Sequence, residues 1–114
     1  MAIYFDSSNP SGLLTAFKAA IDAGHVETWS YDKDGDFTHT PAQWKGRAWL
    51  RPGIGNSRLT MRFLGRQSET TTWEVYSVYH GRFIESMMAH CNQRFSEARS
   101  PSQPTTADNI TKVA

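Results

Sequence analysis

Residues 47–64, RAWLRPGIGNSRLTMRFL, contain two stretches of alternating apolar and polar side chains, separated by a segment rich in proline and glycine. In the second stretch the apolar positions have one parity and the polar positions the other: Leu59, Met61 and Phe63 against Arg58, Thr60 and Arg62. Successive side chains of a strand point to opposite sides of the sheet. The pattern therefore predicts two paired strands, over residues 47–51 and 58–64, joined by a loop over residues 52–57.

Amphipathic helices are predicted near both ends of the chain. The first begins at Asn9-Pro10, a capping residue followed by a proline at the first helical position, and ends at Gly24. The second is predicted over residues 81–98. Its apolar side chains recur at helical spacing along one stripe: Phe83, Ile84, Met87, Met88, Cys91 and Phe95. Each stripe needs an apolar surface to pack against.

The remaining segments predict further strands, which complete an α+β fold. Short apolar, β-branched or aromatic runs lie at residues 2–5, 25–31, 37–40 and 71–79, and Asp34-Gly35 is typical of a hairpin turn. A helical turn that carries Trp44 is expected to end at Gly46. The predicted order is β-α-β-β-turn-β-β-β-α. It implies a mainly antiparallel sheet of about five to six strands, with both helices on one face.

Length and composition indicate one domain with a tail. The 114 residues are 39% hydrophobic, enough for a core over residues 1–98, whereas residues 99–114 are rich in serine, proline and threonine and are predicted to be disordered. The single cysteine and the scattered histidines indicate no metal site, and no cofactor motif is found. Without a signal-peptide or membrane-span pattern, a cytoplasmic location is expected.

The charges are segregated along the chain although the net charge is only +1. Residues 1–36 contain six acids and two lysines, whereas residues 37–68 contain six basic residues and no acid. The predicted strands place much of this basic charge on the polar face of the sheet, in a set that also contains a tryptophan: Arg47, Trp49, Arg51, Arg58 and Arg62. Guanidinium groups bind phosphates, and tryptophan stacks on bases, so this set is a candidate single-stranded nucleic-acid site.

Two other interpretations of the arginine-rich face compete with nucleic-acid binding. The arginines can pair with Glu69, Glu74 and the acidic N-terminal segment, in which case they only build a mixed surface. The face can also join two copies of the chain around a two-fold axis, helped by some of the large aromatic side chains: Trp29, Tyr31, Trp44 and Trp49. The pI of about 7.9 is low for a nucleic-acid-binding domain, which favours these two interpretations.

His80, Gly81 and Arg82 form the best candidate for a small ligand site. If a strand turns into a helix at Gly81, the first N–H groups of that helix can bind an anion, with His80 and Arg82 beside it. Cys91 lies within an apolar stripe and is expected to pack in the core rather than act as a nucleophile.

A non-catalytic interaction or regulatory protein that self-associates is the function expected from these patterns. A single-stranded nucleic-acid binder and a small anionic-ligand binder or enzyme are the alternatives. A dimer interface over the arginine-rich face would favour the first, a flat and uncovered basic face the second, and a pocket beside His80 the third.

Overall fold

A computed structural model of the chain describes residues 3–104 and Asp108. Its elements follow one another in this order: β1 Ile3–Asp6, α1 Pro10–Asp22, β2 Trp29–Tyr31, β3 Phe37–His39, β4 Ala48–Gly55, β5 Arg58–Gly65, α2 Trp73–Cys91 and β6 Glu97–Arg99. The six strands form one antiparallel sheet in the order β2-β3-β4-β5-β1-β6. The predicted α+β class, the antiparallel sheet and the two helices are confirmed.

Helix α1 begins and ends at the predicted signals. The Asn9 side chain accepts a hydrogen bond from Gly12 N at 3.1 Å, Pro10 occupies the first helical position, and Gly24 follows the helix with a φ of 82°. Leu13 and Phe17 are fully buried. The helix therefore packs through the stripe that its sequence indicates.

The β4–β5 hairpin is longer than predicted. The expected loop over residues 52–57 is wrong, because β4 continues to Gly55 and the chain turns through Asn56 and Ser57 alone. Pro52 has no backbone N–H to donate to a neighbouring strand. It is tolerated inside β4 because β3 pairs with β4 only at Phe37 and Leu50, so the edge of β4 that faces β3 has no partner strand at Pro52.

Helix α2 replaces the strand predicted over residues 71–79 and includes the first part, residues 81–91, of the helix predicted over residues 81–98. The Thr72 side chain accepts a hydrogen bond from Val75 N at 3.1 Å, and the helix starts at Trp73. Buried side chains continue at helical spacing on both sides of Gly81, from Val75 to Cys91. The aromatic and β-branched residues that suggested a strand form this buried stripe, so tertiary packing overrides local preference.

The chain leaves α2 after Cys91 and returns to the sheet, so the prediction of a helix up to residue 98 is wrong. Phe95 packs on Phe5 with ring centroids 5.2 Å apart, and β6 pairs with β1 through Tyr4–Arg99 and Asp6–Glu97. Arg99, which the prediction assigned to the tail, lies in β6. Residues 105–107 and 109–114 lie outside the described residues, so the disordered tail and the domain limits stay predictions.

Both helices pack on the same face of the sheet, around Phe83. Its ring centroid lies 6.0 Å from that of Phe5, 5.2 Å from Phe17, 5.0 Å from Trp29 and 5.8 Å from Phe37. These rings belong to β1, α1, β2 and β3, so the core extends across most of the sheet. Within the described residues, neither helix is long and apolar enough to cross a membrane.

Candidate interaction surface

The sheet has two faces of different composition. On the helix-covered face, the three central strands contribute seven fully buried side chains: Ile3, Phe5, Ala48, Leu50, Leu59, Met61 and Phe63. The open face is formed by the alternate positions of the same strands and of β6: Tyr4, Asp6, Trp49, Arg51, Arg58, Thr60, Arg62, Leu64, Glu97 and Arg99. No described helix or strand packs on the open face. It is therefore the broad surface of the fold that remains for a partner.

Acids from other parts of the chain neutralise much of the arginine charge on the open face. Arg51 makes two hydrogen bonds to the Asp36 carboxylate, at 2.9 and 2.8 Å, and these bonds raise the pKa of its guanidinium. Asp36 itself is almost fully buried, so this ion pair is held at the end of β3. Residues 37–68 are basic in the sequence, but the surface that they form is therefore less basic than the sequence suggests.

A second group of ion pairs occupies the β6 side of the open face. Arg58 lies 3.4 Å from the Asp6 carboxylate, and its guanidinium sits over the ring of Tyr4 at 4.6 Å from the centroid. Arg99 donates hydrogen bonds to both Asp6 and Glu97, at 2.8 and 2.6 Å. Stacking and pairing hold these side chains flat against the sheet.

Arg62 is the charged group at the centre of the open face. Among residues 3–104 and Asp108 it has no hydrogen-bond or ion-pair partner. Its neighbour in the strand register is another cation, Arg51, which lies directly opposite on β4. Next to this pair, Trp49 lies opposite Leu64, and both are half-buried. A depression of about 560 Å³ begins there, lined by Trp49, Arg51, Leu64, Gly65, Arg66, Gln67 and Glu69. The centre of the face thus combines a free guanidinium with an apolar surface.

The structure places four of the five predicted arginine-face residues together. Trp49, Arg51, Arg58 and Arg62 share the open face, as their parity predicted. Arg47 does not belong to this set, because it precedes β4 and its Nε donates to Gln43 O at 3.4 Å. Sequence reasoning did not include Tyr4, Asp6 and Asp36 in the site. The position of β1 beside β5 and of β3 beside β4 brings them there.

His80, Gly81 and Arg82 do not form the predicted site at a helix start. All three lie inside α2, where backbone N–H groups already bond within the helix. His80 is buried and packs parallel to Phe63, with ring centroids 5.4 Å apart, whereas Arg82 is exposed and its charge acts on His39. Residues two apart on a helix do not share a face. The predicted helix start at Gly81 is therefore wrong, and the N–H groups expected to bind an anion there bond within α2 instead.

The other chemically interesting side chains lie in the core. Cys91 is buried, and burial raises the pKa of its thiol, as expected for a packing role. Trp29 and Trp44 are also buried, so neither is part of a surface. The tryptophan that sequence reasoning did not single out, Trp73, is the most exposed of the large aromatic residues, because it opens α2 at the edge of the core.

The fold and this surface define a small α+β domain, with helices on one side of an antiparallel sheet and a mixed aromatic and ionic surface on the other. Comparison of the chain with protein-family models, with curated proteins and with solved structures finds no match. Inference about function therefore depends on the chemistry of the residues themselves.

Proposed function

We propose that this protein is a non-catalytic interaction module that joins a second copy of itself through the open face of the sheet. The observation that carries the proposal is the centre of that face, which no described helix or strand covers and where Trp49 and Leu64 lie beside Arg62, a residue without an ion-pair partner among the described residues. The cytoplasmic location expected from the sequence is part of this proposal.

The composition of the open face supports protein binding. Tryptophan, tyrosine and arginine are the residues that most often dominate the energetics of protein interfaces. Trp49, Tyr4 and Arg62 supply these types on strands whose backbone is fixed by cross-strand pairing. A partner therefore meets a strand backbone that needs no further ordering on binding.

Charge complementarity favours a second copy of this chain as the partner. Arg62 lies at the centre of the open face, whereas the Glu97 carboxylate lies on the edge strand β6 and is mostly exposed. Glu97 already pairs with Arg99 at 2.6 Å, so the partner's Arg62 would share this carboxylate with Arg99. Two open faces stacked around a two-fold axis can place each Arg62 near the partner's Glu97, so that the contact forms twice. The ion pairs of Arg51 and Arg58 avoid further unbalanced charge in such an interface.

Sedimentation equilibrium of the full chain, from micromolar to millimolar concentration, tests the proposal. We expect a reversible dimer whose dissociation constant rises about tenfold or more in R62E and in W49A, because each removes a central contact. R82E is the matched control for R62E, since it makes the same charge change at an exposed position of α2. It should leave the dimer unchanged.

A charge-swapped variant sharpens the same experiment. If Arg62 meets the partner's Glu97, the double variant R62E/E97R should recover much of the affinity that R62E loses. A chain that stays monomeric at millimolar concentration would overturn the proposal. Equal weakening by R62E and R82E would also do so, because it would show a nonspecific charge effect.

Single-stranded nucleic acid is the second candidate partner, and the shared face of Trp49, Arg51, Arg58 and Arg62 favours it. The ion pairs to Asp36 and Asp6 weigh against it, because a guanidinium that already holds a carboxylate is less available to phosphate. We therefore rank this function below self-association.

Fluorescence anisotropy with a labelled oligonucleotide of mixed sequence tests this second candidate. If the face binds single strands, the logarithm of the affinity should fall linearly with the logarithm of the salt concentration. Each phosphate contact should contribute about −0.7 to that slope, so R62E should make the slope shallower. W49A should weaken binding with little change in the salt dependence, because stacking releases few ions. No binding at low salt excludes this function.

A further inference from the structure

A pocket of about 480 Å³ lies between the start of α2 and the segment that follows β6. One wall is a stripe on the first two turns of α2, formed by Trp73, Tyr76, Ser77 and His80, and Glu74 lies beside it. The other wall is the segment that follows β6: Ser100, Pro101 and Ser102. This volume is within the range of small-molecule sites in proteins.

Two side chains of the α2 wall carry buried polar atoms without a partner. Tyr76 and His80 are only 4% and 5% exposed, and among the described residues neither Tyr76 Oη nor His80 Nε2 has a hydrogen-bond partner. An unpaired buried polar atom costs free energy, so native proteins contain few of them. Both residues line the pocket, so a polar group of a bound ligand can supply the missing partners.

The hydrogen-bonding roles of the two atoms follow from their surroundings. His80 Nδ1 lies 2.6 Å from Tyr76 O, and a carbonyl oxygen only accepts, so Nδ1 carries the hydrogen. Burial lowers the pKa of His80, so the ring is neutral near pH 7 and Nε2 is an acceptor. Burial and the Asp108 carboxylate raise the pKa of Tyr76 to about 12, so its hydroxyl keeps its hydrogen and can donate.

The charges around the pocket disfavour an anion. Glu74 lines the pocket, and the negative charge of Asp108 acts on both Tyr76 and His80. Arg82, the cation that the sequence suggested for this region, is exposed elsewhere on α2. Among the described residues, the charged groups that line the pocket or act on its wall are therefore the carboxylates of Glu74 and Asp108.

The aromatic side chains favour a flat ligand. Trp73 is 42% exposed, and its ring meets that of Tyr76 edge to face with centroids 5.7 Å apart. Pro101 lies on the opposite wall. A planar group that enters the pocket can cover the indole and remove its apolar surface from water.

We propose that this pocket binds a small planar molecule, uncharged or cationic, that carries both an N–H donor and a carbonyl acceptor. The N–H group donates to His80 Nε2, the carbonyl accepts from Tyr76 Oη, and the ring packs on Trp73. A primary aromatic amide or a lactam-type heterocycle has this combination. The site is independent of the open face, so it does not depend on self-association.

Benzamide and benzoate form a matched pair of probes, because they share size and ring and differ in charge and in the N–H group. In two-dimensional NMR spectra of the full chain, benzamide should cause saturable shifts of the Trp73 indole and the His80 ring. Benzoate should bind about tenfold more weakly or worse, because it brings a charge beside Glu74 and offers His80 no hydrogen.

The variant Y76F tests the assigned hydrogen bond without removing the ring. It should weaken benzamide binding by about three- to tenfold, the effect of losing one neutral hydrogen bond. Y4F makes the same change on the open face and should leave benzamide affinity unchanged. The proposal is overturned if benzamide gives no saturable shift, if benzoate binds as well as benzamide, or if Y76F and Y4F behave alike.

Discussion

The two faces of the sheet are made by the same strands and have opposite chemistry. On β5, Leu59, Met61 and Phe63 are fully buried under the helices, whereas Thr60 and Arg62 lie on the open face. One face contributes apolar burial, and the other contributes ion pairs and the half-buried rings of Tyr4 and Trp49. Period-two alternation thus places a buried apolar set and a polar, charged set of side chains on the two sides of a single strand.

The open face also shows how pairing changes the meaning of a charge pattern. Arg51 and Arg58 belong to a stretch of sequence without acids, but in the fold each meets a carboxylate from a distant segment, Asp36 or Asp6. On the open face, Arg62 is the arginine that has no carboxylate partner among the described residues. The basic run of the sequence thus gives a largely ion-paired surface in the described part of the chain.

The largest expected difference between the two faces is in the free energy of unfolding. F83A should destabilise the protein by about 3–5 kcal/mol, because Phe83 is fully buried against rings from four elements. Chemical denaturation measures this effect, and F83L, which keeps most of the volume, should cost less than about 1.5 kcal/mol. A small effect of F83A would mean that the helices do not pack as described.

The pH dependence of stability should come from the helix-covered side. His39 and His80 are buried, and burial lowers the pKa of both rings below the unfolded value of 6.5. Below about pH 6.5 the unfolded chain therefore binds protons that the folded chain does not, and the free energy of unfolding falls as pH decreases. Each histidine contributes a slope of at most about 1.4 kcal/mol per pH unit.

Denaturation curves between about pH 7 and pH 5 measure this dependence. The variants H39Q and H80Q should each flatten it, because each removes a group whose two states bind protons differently. If the slope is the same in both variants as in the parent chain, the two rings are not buried in neutral form.

A smaller effect is expected at Gly81, where the structure and the sequence prediction disagree. An alanine Cβ at this position meets no atom within 4 Å, and the residue lies in the interior of α2. G81A should therefore stabilise the protein by about 0.5–1 kcal/mol, because glycine loses more backbone freedom in a helix. Thermal denaturation checks the sign, and destabilisation would indicate that the chain turns at Gly81 instead.

On the open face itself, the effect of substitution on stability should be smallest. R62A should change the free energy of unfolding by less than about 0.5 kcal/mol, because Arg62 has no partner within the described chain. Chemical denaturation at low protein concentration, where the monomer dominates, measures this. A loss comparable to that of F83A would place Arg62 in the structural framework and remove the contrast between the faces.

The features that sequence reasoning predicted correctly are those set by local periodicity. Strand parity placed Trp49, Arg51, Arg58 and Arg62 on one face, and capping signals placed the start of α1 at Asn9-Pro10. The missed part of α2 contains aromatic and β-branched residues that suit a strand as well as a buried helix. Only their contacts across the core, such as Phe63 with Tyr76, distinguish the two.

The partners of the arginines could not be predicted for a different reason. Asp36 reaches Arg51 because β3 lies beside β4, and Asp6 reaches Arg58 because β1 enters the sheet beside β5. The second adjacency joins residues 52 positions apart. Local patterns carry no information on such pairing, so the net charge of the face follows from the topology alone.

NMR spectra recorded on dilution of the full chain test whether two copies associate through the open face. The Trp49 indole N–H, and the backbone amides of Tyr4, Thr60 and Arg62, should shift together between millimolar and micromolar protein, because these residues surround the proposed contact on the open face. Amides on the exposed side of α2, such as that of Arg82, should not move. Concentration-independent spectra, or shifts centred on α2 instead of β4 and β5, would contradict an interaction through the open face.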